Sequence, residues 1–193
     1  VPRIWEKLHA LALIRANDAT WFKRKMLGFG MTLASRVGKA KVANGGEHTF
    51  SSRLLAALGW VLVFRAMRER IGLRRVRYAG SGAAAIAPEV LEFFIGIGVP
   101  VYELYGMTEN SAVATANFVG RMKLGTVGEP YPDIGFRIAE GTGEIQTKHD
   151  GNFQGYWNKP DKTVETFTED GWLMTGDVGE WVDGTHVRIV DRI

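Results

Sequence analysis

Residues 105–109 read Tyr-Gly-Met-Thr-Glu, and Thr175-Gly176-Asp177 follows Gly171-Trp172-Leu173-Met174 further along the chain. The first segment sets a ring, a glycine, a hydroxyl and a carboxylate at the exit of an apolar strand. Tyr105 can stack on a base, and Gly106 lets the backbone approach a ligand closely. Met107 lies in the same turn. Thr108 offers a hydroxyl to a phosphate or carboxyl oxygen. Glu109 is a hard oxygen ligand suited to Mg²⁺ bridging ATP phosphates. Taken alone, the pentapeptide is equally an ordinary strand-to-loop exit. The second segment places the Asp177 carboxylate in a tight glycine turn.

The elements that position these residues follow from periodicity. Trp5, Leu8, Leu11, Ala12 and Arg15 recur at three- and four-residue steps, a helical stripe. Pro2 suits a first helical turn. Arg53 to Ile71 is a second helical stretch, broken by Gly72, and Val42 to Glu47 is a loop between them. The period then changes. Arg75 to Ala79 alternates like a strand, Gly80-Ser81-Gly82-Ala83 is a turn, Pro88 opens a helix to Ile97 that Gly98 stops, and Val99 to Leu104 is a strand. Such a βαβ unit predicts parallel strands joined by a right-handed crossover. After Gly120, short strands are expected at Phe136–Ala139, Glu144–Thr147, Gly179–Val182 and His186–Val190. Asp183-Gly184 forms a hairpin turn that can extend into Thr185. A short helix over Asp161–Phe167 has Asp161 as its candidate cap. The expected fold is therefore α/β. An α/β subdomain spans 1–120: helical over 1–72, with βαβ over 75–105 as part of a mostly parallel sheet. A small antiparallel barrel-like subdomain spans 121–193.

Composition narrows the function classes. The chain of 193 residues has no cysteine, which excludes disulfides and cysteine-bound zinc, and its four histidines show no ligand spacing. The apolar run Leu54 to Phe64 is shorter than the about 20 residues a bilayer span needs, and no signal peptide is visible, so the expectation is a cytoplasmic chain. Charge is asymmetric: residues 1–80 hold 16 Lys/Arg against 4 Asp/Glu, and residues 81–193 hold 8 against 17. A basic half can be a solvated face or a contact for anionic lipid headgroups, giving peripheral membrane association. The patterning of RNA-binding modules is absent, so no nucleic-acid partner is expected.

Gly80-Ser81-Gly82-Ala83-Ala84-Ala85 matches a dinucleotide fingerprint, G-x-G-x-x-A. Ile86-Ala87-Pro88 delays the helix, however, and moves its N-terminus away from where a pyrophosphate would sit. A small-residue loop over which a flat adenine can lie fits better, and a tight packing turn stays open. The order and spacing of Ser81-Gly82-Ala83-Ala84, Pro88-Glu89, Gly98-Val99-Pro100, Tyr105–Glu109, Gly125-Thr126-Val127-Gly128-Glu129-Pro130, Gly143-Glu144-Ile145, Gly155-Tyr156-Trp157, Gly171–Asp177 and Asp191-Arg192 resemble the adenylate-forming superfamily of AMP-dependent synthetases and ligases. Val1 to Lys7 looks like a segment of its long-chain acyl-CoA synthetase branch.

That resemblance implies ATP or AMP, Mg²⁺ and CoA as partners of a fatty acid or other carboxylic acid. It implies that Ser81, Gly82, Ala83, Ala84 and Tyr105, with Gly106 and Met107, enclose the adenine. It implies that Thr108 contacts the α-phosphate and acyl carboxylate, that Glu109 holds Mg²⁺, that Asp177 accepts from the ribose hydroxyls, and that Arg192 contacts the ribose. Trp172 reads as a packing residue. Ala85 stands where relatives often carry proline. No Ser/Thr/Gly-rich phosphate loop followed by Lys occurs in these residues, and Gly38-Lys39 lacks a Walker glycine. The expectation is thus a fragment of the large N-terminal domain of a fatty-acid–CoA ligase, inactive alone. Bulky residues such as Phe93, Phe94 and Ile97 suit a fatty-acyl substrate. Loading of a carrier protein, a Rossmann-type oxidoreductase and a non-catalytic binding module are the alternatives.

Overall fold

Pro2 opens helix α1 (Pro2–Asn17) and Thr20 precedes α2 (Trp21–Ala43). The structure, a computed structural model, describes residues 1–17 and 20–193; the side chains of residues 15–17 lie outside the description, and with them Arg15's place in the expected stripe. The chain forms two bodies, Val1–Tyr102 with Phe118–Leu124, and Glu103–Asn117 with Gly125–Ile193.

The first body is helical around α5 (Pro88–Gly96). Proline at the first helical position and a left-handed Gly98 after the last fix its ends. Gly98 N–H bonds Ile95 O at 3.1 Å and Val99 N–H bonds Phe94 O at 2.8 Å, a Schellman closure. The helix begins several residues after β1 (Ala79–Ser81), as Ile86-Ala87-Pro88 requires. Phe93, Phe94 and Ile97 are buried in the core with Trp5, Leu33, Phe64 and Leu91. The sequence reading associated these three with an acyl chain; they pack the body itself. In α1, Trp5 meets Phe94 edge-on at 5.0 Å, whereas Leu11 points outward at 43 % exposure.

Helices α2 and α5 approach through paired glycines. A Cβ on Gly38 would stand 1.9 Å from Glu92 O, and one on Gly96 would stand 1.9 Å from Ala34 O. Gly38, which fails as a phosphate-loop glycine, is therefore a packing glycine in mid-helix.

A third helical run spans Phe50–Arg70: α3 (Phe50–Gly59), a π turn (Trp60–Phe64) and α4 (Arg65–Arg70). Thr49 caps it by accepting Ser52 N–H at 3.2 Å. Its 21 residues are long and apolar enough to cross a membrane by length and composition alone. Its final turns nonetheless enter the core: Val63, Phe64 and Met67 are buried, and so is Arg68. The Arg68 guanidinium donates to the carbonyls of Leu73, Arg74, Val76 and Gly98 at 3.0–3.2 Å. Those bonds hold residues 73–76 in turns, which is why the strand expected over Arg75–Ala79 forms only at Ala79–Ser81. Ala79 N–H then donates to Pro100 O at 3.0 Å, beside the start of β2 (Val101–Tyr105).

The second body is antiparallel. Leu104 and Tyr105 at the end of β2 pair with Ala116 and Thr115 of β3 (Thr115–Ala116), which pairs with β4 (Glu129–Pro130). A four-stranded sheet comes next, in chain order: β5 (Gly135–Ile138), β6 (Glu144–Lys148), β7 (Leu173–Val182) and β8 (His186–Arg192). The β7–β8 hairpin turns through three residues, Asp183 and Gly184 having φ of +55° and +75° and Val182 pairing with His186. The short helix α6 (Pro160–Glu165) carries Asp161 in its first turn, while Lys159 occupies the cap position that the sequence reading gave to Asp161.

Two substitutions in α2 test the glycine crossing. Gly38→Ala should destabilise the body by about 1–3 kcal/mol, because backbone atoms must separate. Gly28→Ala, with nothing within 4 Å of a built Cβ, should be neutral or stabilising by up to about 1 kcal/mol. Urea unfolding distinguishes them, and equal effects would contradict the crossing.

Candidate nucleotide site

Asp177 lies inside strand β7, not in a turn as the sequence suggests. Glu144 pairs with Val178 and Gln146 with Met174, so Ile145 alone faces Thr175, Gly176 and Asp177. This bulge depends on Gly176, whose φ is +72°. Its polar groups find partners. Thr175 Oγ donates to Ile145 O at 2.7 Å and accepts Asp177 N–H at 3.2 Å. Gly176 N–H donates to Glu144 Oε1 at 2.9 Å, and Gly176 O accepts Ile193 N–H at 2.7 Å.

The bulge directs Asp177 at Tyr105, whose hydroxyl donates to Oδ2 at 2.9 Å. Arg192, paired with Asp177 in the β7–β8 ladder, brings Nε to 3.7 Å from Oδ1. The Asp177 side chain is 18 % exposed, against 77 % for Arg192. The Tyr105 ring belongs to the second body's core with Ala114, Ile145 and Val187. Burial, with the Asp177 carboxylate beside it, pushes the Tyr105 hydroxyl far above the usual phenol range. It therefore stays a donor at any working pH.

The chain turns tightly after Tyr105. Met107 N–H donates to Asn110 Oδ1 at 2.8 Å, fixing a 3₁₀ turn over Thr108–Asn110. Ser111 and Ala112 both take positive φ, and Ala112 N–H returns to Met107 O at 2.8 Å. Gly106 is required by this loop: a Cβ there would come within 2.2 Å of Ala112 O. The sequence alone suggests a ligand's approach as the reason for this glycine; the loop itself is the reason. The turn leaves Thr108 exposed and Glu109 half-buried, and Glu109 Oε1 accepts the Tyr156 hydroxyl at 2.8 Å.

Among the described residues, no group of three or more His, Cys, Asp or Glu could hold a metal. One carboxylate with an adjacent hydroxyl fits a Mg²⁺ held mainly by nucleotide phosphates and water, the way this ion is commonly bound. Glu109, with Thr108 beside it, is the residue that would hold it, and the ion would neutralise phosphate charge.

The structure thus brings together Tyr105, Asp177 and Arg192, and carries Gly106, Met107, Thr108 and Glu109 on the turn that leaves Tyr105. Ser81, Gly82, Ala83 and Ala84 belong to the first body. There Ser81 is buried with its Oγ unpartnered among the described residues, and Ala83 has φ +70°. Trp172 packs, its ring beneath the Arg137 guanidinium at 4.3 Å. Sequence reasoning gave no role to Glu144, Thr175 or Tyr156. Glu144 and Tyr156 stood in family-like motifs, but only the fold shows what they touch.

A strand-exit turn bearing a hydroxyl and a carboxylate, with a second carboxylate on a bulge of a curled antiparallel sheet, defines the class: the N-terminal domain of an adenylate-forming enzyme. The chain belongs to the AMP-binding enzyme family, whose profile matches residues 1–157. Over its whole length it is similar to FadD11 of Mycobacterium tuberculosis, named a putative fatty-acid–CoA ligase, at 42 % identity and covering 34 % of that protein. It is 32 % identical to the long-chain-fatty-acid–CoA ligase ACSBG2 of Xenopus laevis, covering 26 % of it. The chain therefore spans roughly a third or less of these relatives' length. Among solved structures, the O-succinylbenzoate coenzyme A synthetase of Bacillus subtilis in complex with ATP and magnesium ion aligns at a TM-score of 0.54 and 27 % identity, over 60 % of this chain and 26 % of that one.

Two conservative substitutions test the support of Asp177. Tyr105→Phe should cost about 1.5–3 kcal/mol, the usual worth of a hydrogen bond to a charged group. Thr175→Val, which unpairs Ile145 O and Asp177 N–H, should cost about 1–3 kcal/mol. Denaturant unfolding of each variant reads both, and unchanged midpoints would show that the bulge is held by something else.

Proposed function

We propose that this chain is part of an ATP-dependent fatty-acid–CoA ligase. A carboxylate oxygen of the acid attacks the α-phosphorus of ATP and pyrophosphate leaves. The CoA thiol then attacks the acyl carbon, AMP leaves, and the thiol proton passes to solvent or to the leaving phosphate. Adenylation replaces a poor leaving group with a good one, so the protein's work is positioning and charge neutralisation. Thr108 contacts the α-phosphate and acyl oxygens, Glu109 holds Mg²⁺, Asp177 accepts from the ribose hydroxyls, and Arg192 adds a cationic contact there. The observation that carries this reading is the Asp177 carboxylate, fixed by Gly176, Thr175, Glu144 and Tyr105 in a chain of the AMP-binding family. The names of the Mycobacterium and Xenopus relatives support a fatty acid as substrate, and the Bacillus structure supports ATP and Mg²⁺.

The full-length protein should release pyrophosphate from ATP only when a fatty acid is present, faster with palmitate than with acetate, and should then consume CoA thiol. Residues 1–193 alone should show little or no turnover, since they hold no phosphate loop followed by lysine. Acid-independent release by the full-length protein would refute the ligase reading; robust acyl-AMP formation by the 193 residues would refute their inactivity.

Membrane contact from the cytoplasmic side is part of the same proposal. The basic first half exposes Trp21, Phe22, Phe50 and Val61 at 66–81 %, and Lys25 Nζ lies 4.4 Å from the Trp21 ring centre. Binding to anionic vesicles that weakens with salt supports it; indifference to vesicles would leave only a solvated basic surface.

A further inference from the structure

Gly155-Tyr156-Trp157 belongs to the family pattern but carries no step of the proposed reaction. Tyr156 reaches 47 residues back along the chain, within the second body, to donate its hydroxyl to Glu109 Oε1 at 2.8 Å. The loop that delivers it is tied down from several sides. Phe153 N–H donates to the backbone oxygen of the same Glu109 at 2.7 Å. The Phe153 ring meets Tyr156 edge-on at 4.8 Å and stacks on Phe167 at 5.7 Å. Tyr156 N–H donates to Thr163 Oγ1 at 2.9 Å. Gly155, at φ +145°, admits this approach, since a Cβ there would lie 2.5 Å from Thr163 Cγ2. The Tyr156 side chain is partly exposed, and its hydroxyl is the donor in the bond to Glu109. Oε2 of Glu109 accepts no hydrogen bond among the described residues.

We infer that Tyr156 is the positioning residue of Glu109: by occupying Oε1 it fixes the carboxylate's rotation and leaves Oε2 for a divalent cation carried by the nucleotide phosphates. The inference rests on the proposed metal role of Glu109. A carboxylate held in one orientation before the ion arrives loses less freedom on binding it. Outer hydrogen bonds of this kind change metal affinity by about 10–100-fold.

Tyr156→Phe keeps the ring against Phe153 and removes only the hydroxyl. In the full-length protein, calorimetry should show ATP binding in the presence of Mg²⁺ weakened about tenfold or more. AMP binding in EDTA should be unchanged, and the thermal midpoint should shift little, because Tyr156 is 38 % exposed and water can replace the lost bond. Pyrophosphate release should need correspondingly more Mg²⁺ and recover when Mg²⁺ saturates. Glu109→Gln serves as the reference. If it weakens Mg²⁺-dependent binding while Tyr156→Phe does not, the positioning role is overturned and the metal role stands. If neither variant changes the Mg²⁺ dependence, the metal role falls and the inference with it. Equal loss of AMP affinity in EDTA by Tyr156→Phe would show a merely structural residue, and would also overturn it.

Discussion

The left-handed bulge at Gly176 is the constraint on which the candidate site depends. A regular strand alternates its side chains, and adding residues to one strand of a pair re-aims the side chains beyond the insertion. Here Thr175 to Asp177 face a single residue of β6, which turns Asp177 to the Tyr105 hydroxyl. The bulge would otherwise leave backbone groups unpaired within the sheet, at a cost of about 1–3 kcal/mol each. Thr175 and Glu144 take two of the amides and Ile193 takes the Gly176 oxygen. The groups that make the bulge tolerable also aim the carboxylate.

The first body shows the same economy with different means. α2 and α5 meet at backbone distance because Gly38 and Gly96 carry no side chain. Arg68 gathers four carbonyls, three from the turns that follow α4 and one from Gly98 just past α5. A guanidinium has enough donors in a rigid fork to do this, and a lysine does not. Burial lowers its pKa, and a guanidinium stays charged in proteins.

Much of this was legible from sequence where a residue type has a single structural use. Pro88 and Gly98 mark the ends of α5, and Asp183-Gly184 marks the β7–β8 hairpin, because few residues adopt those backbone angles. Tyr105, Thr108, Glu109 and Asp177 stand out by residue type and order, and the structure brings two of them, Tyr105 and Asp177, into contact. What stayed hidden depends on partners distant in sequence. Arg75–Ala79 alternates like a strand, but Arg68 claims the neighbouring carbonyls. Gly176 reads as a turn because a positive φ is commoner in turns than in bulges. Phe93, Phe94 and Ile97 suit a fatty-acyl substrate by bulk alone, because apolar residues look alike until packing shows which are enclosed. Glu144 and Tyr156 are polar residues in glycine-rich segments, and nothing local says that one holds an amide and the other a carboxylate.

The proposed nucleotide recognition turns on Asp177 accepting hydrogen bonds from a ribose. The direct measurement is the affinity of the full-length protein for AMP against 2′,3′-dideoxy-AMP, by calorimetry, in the native protein and in Asp177→Ala. Hydrogen bonds to a charged group are worth about 1.5–3 kcal/mol, so the native protein should prefer AMP by roughly 10–150-fold, and Asp177→Ala should bind both nucleotides alike. Equal binding of the two nucleotides by the native protein, or a preference that survives in Asp177→Ala, would contradict the account.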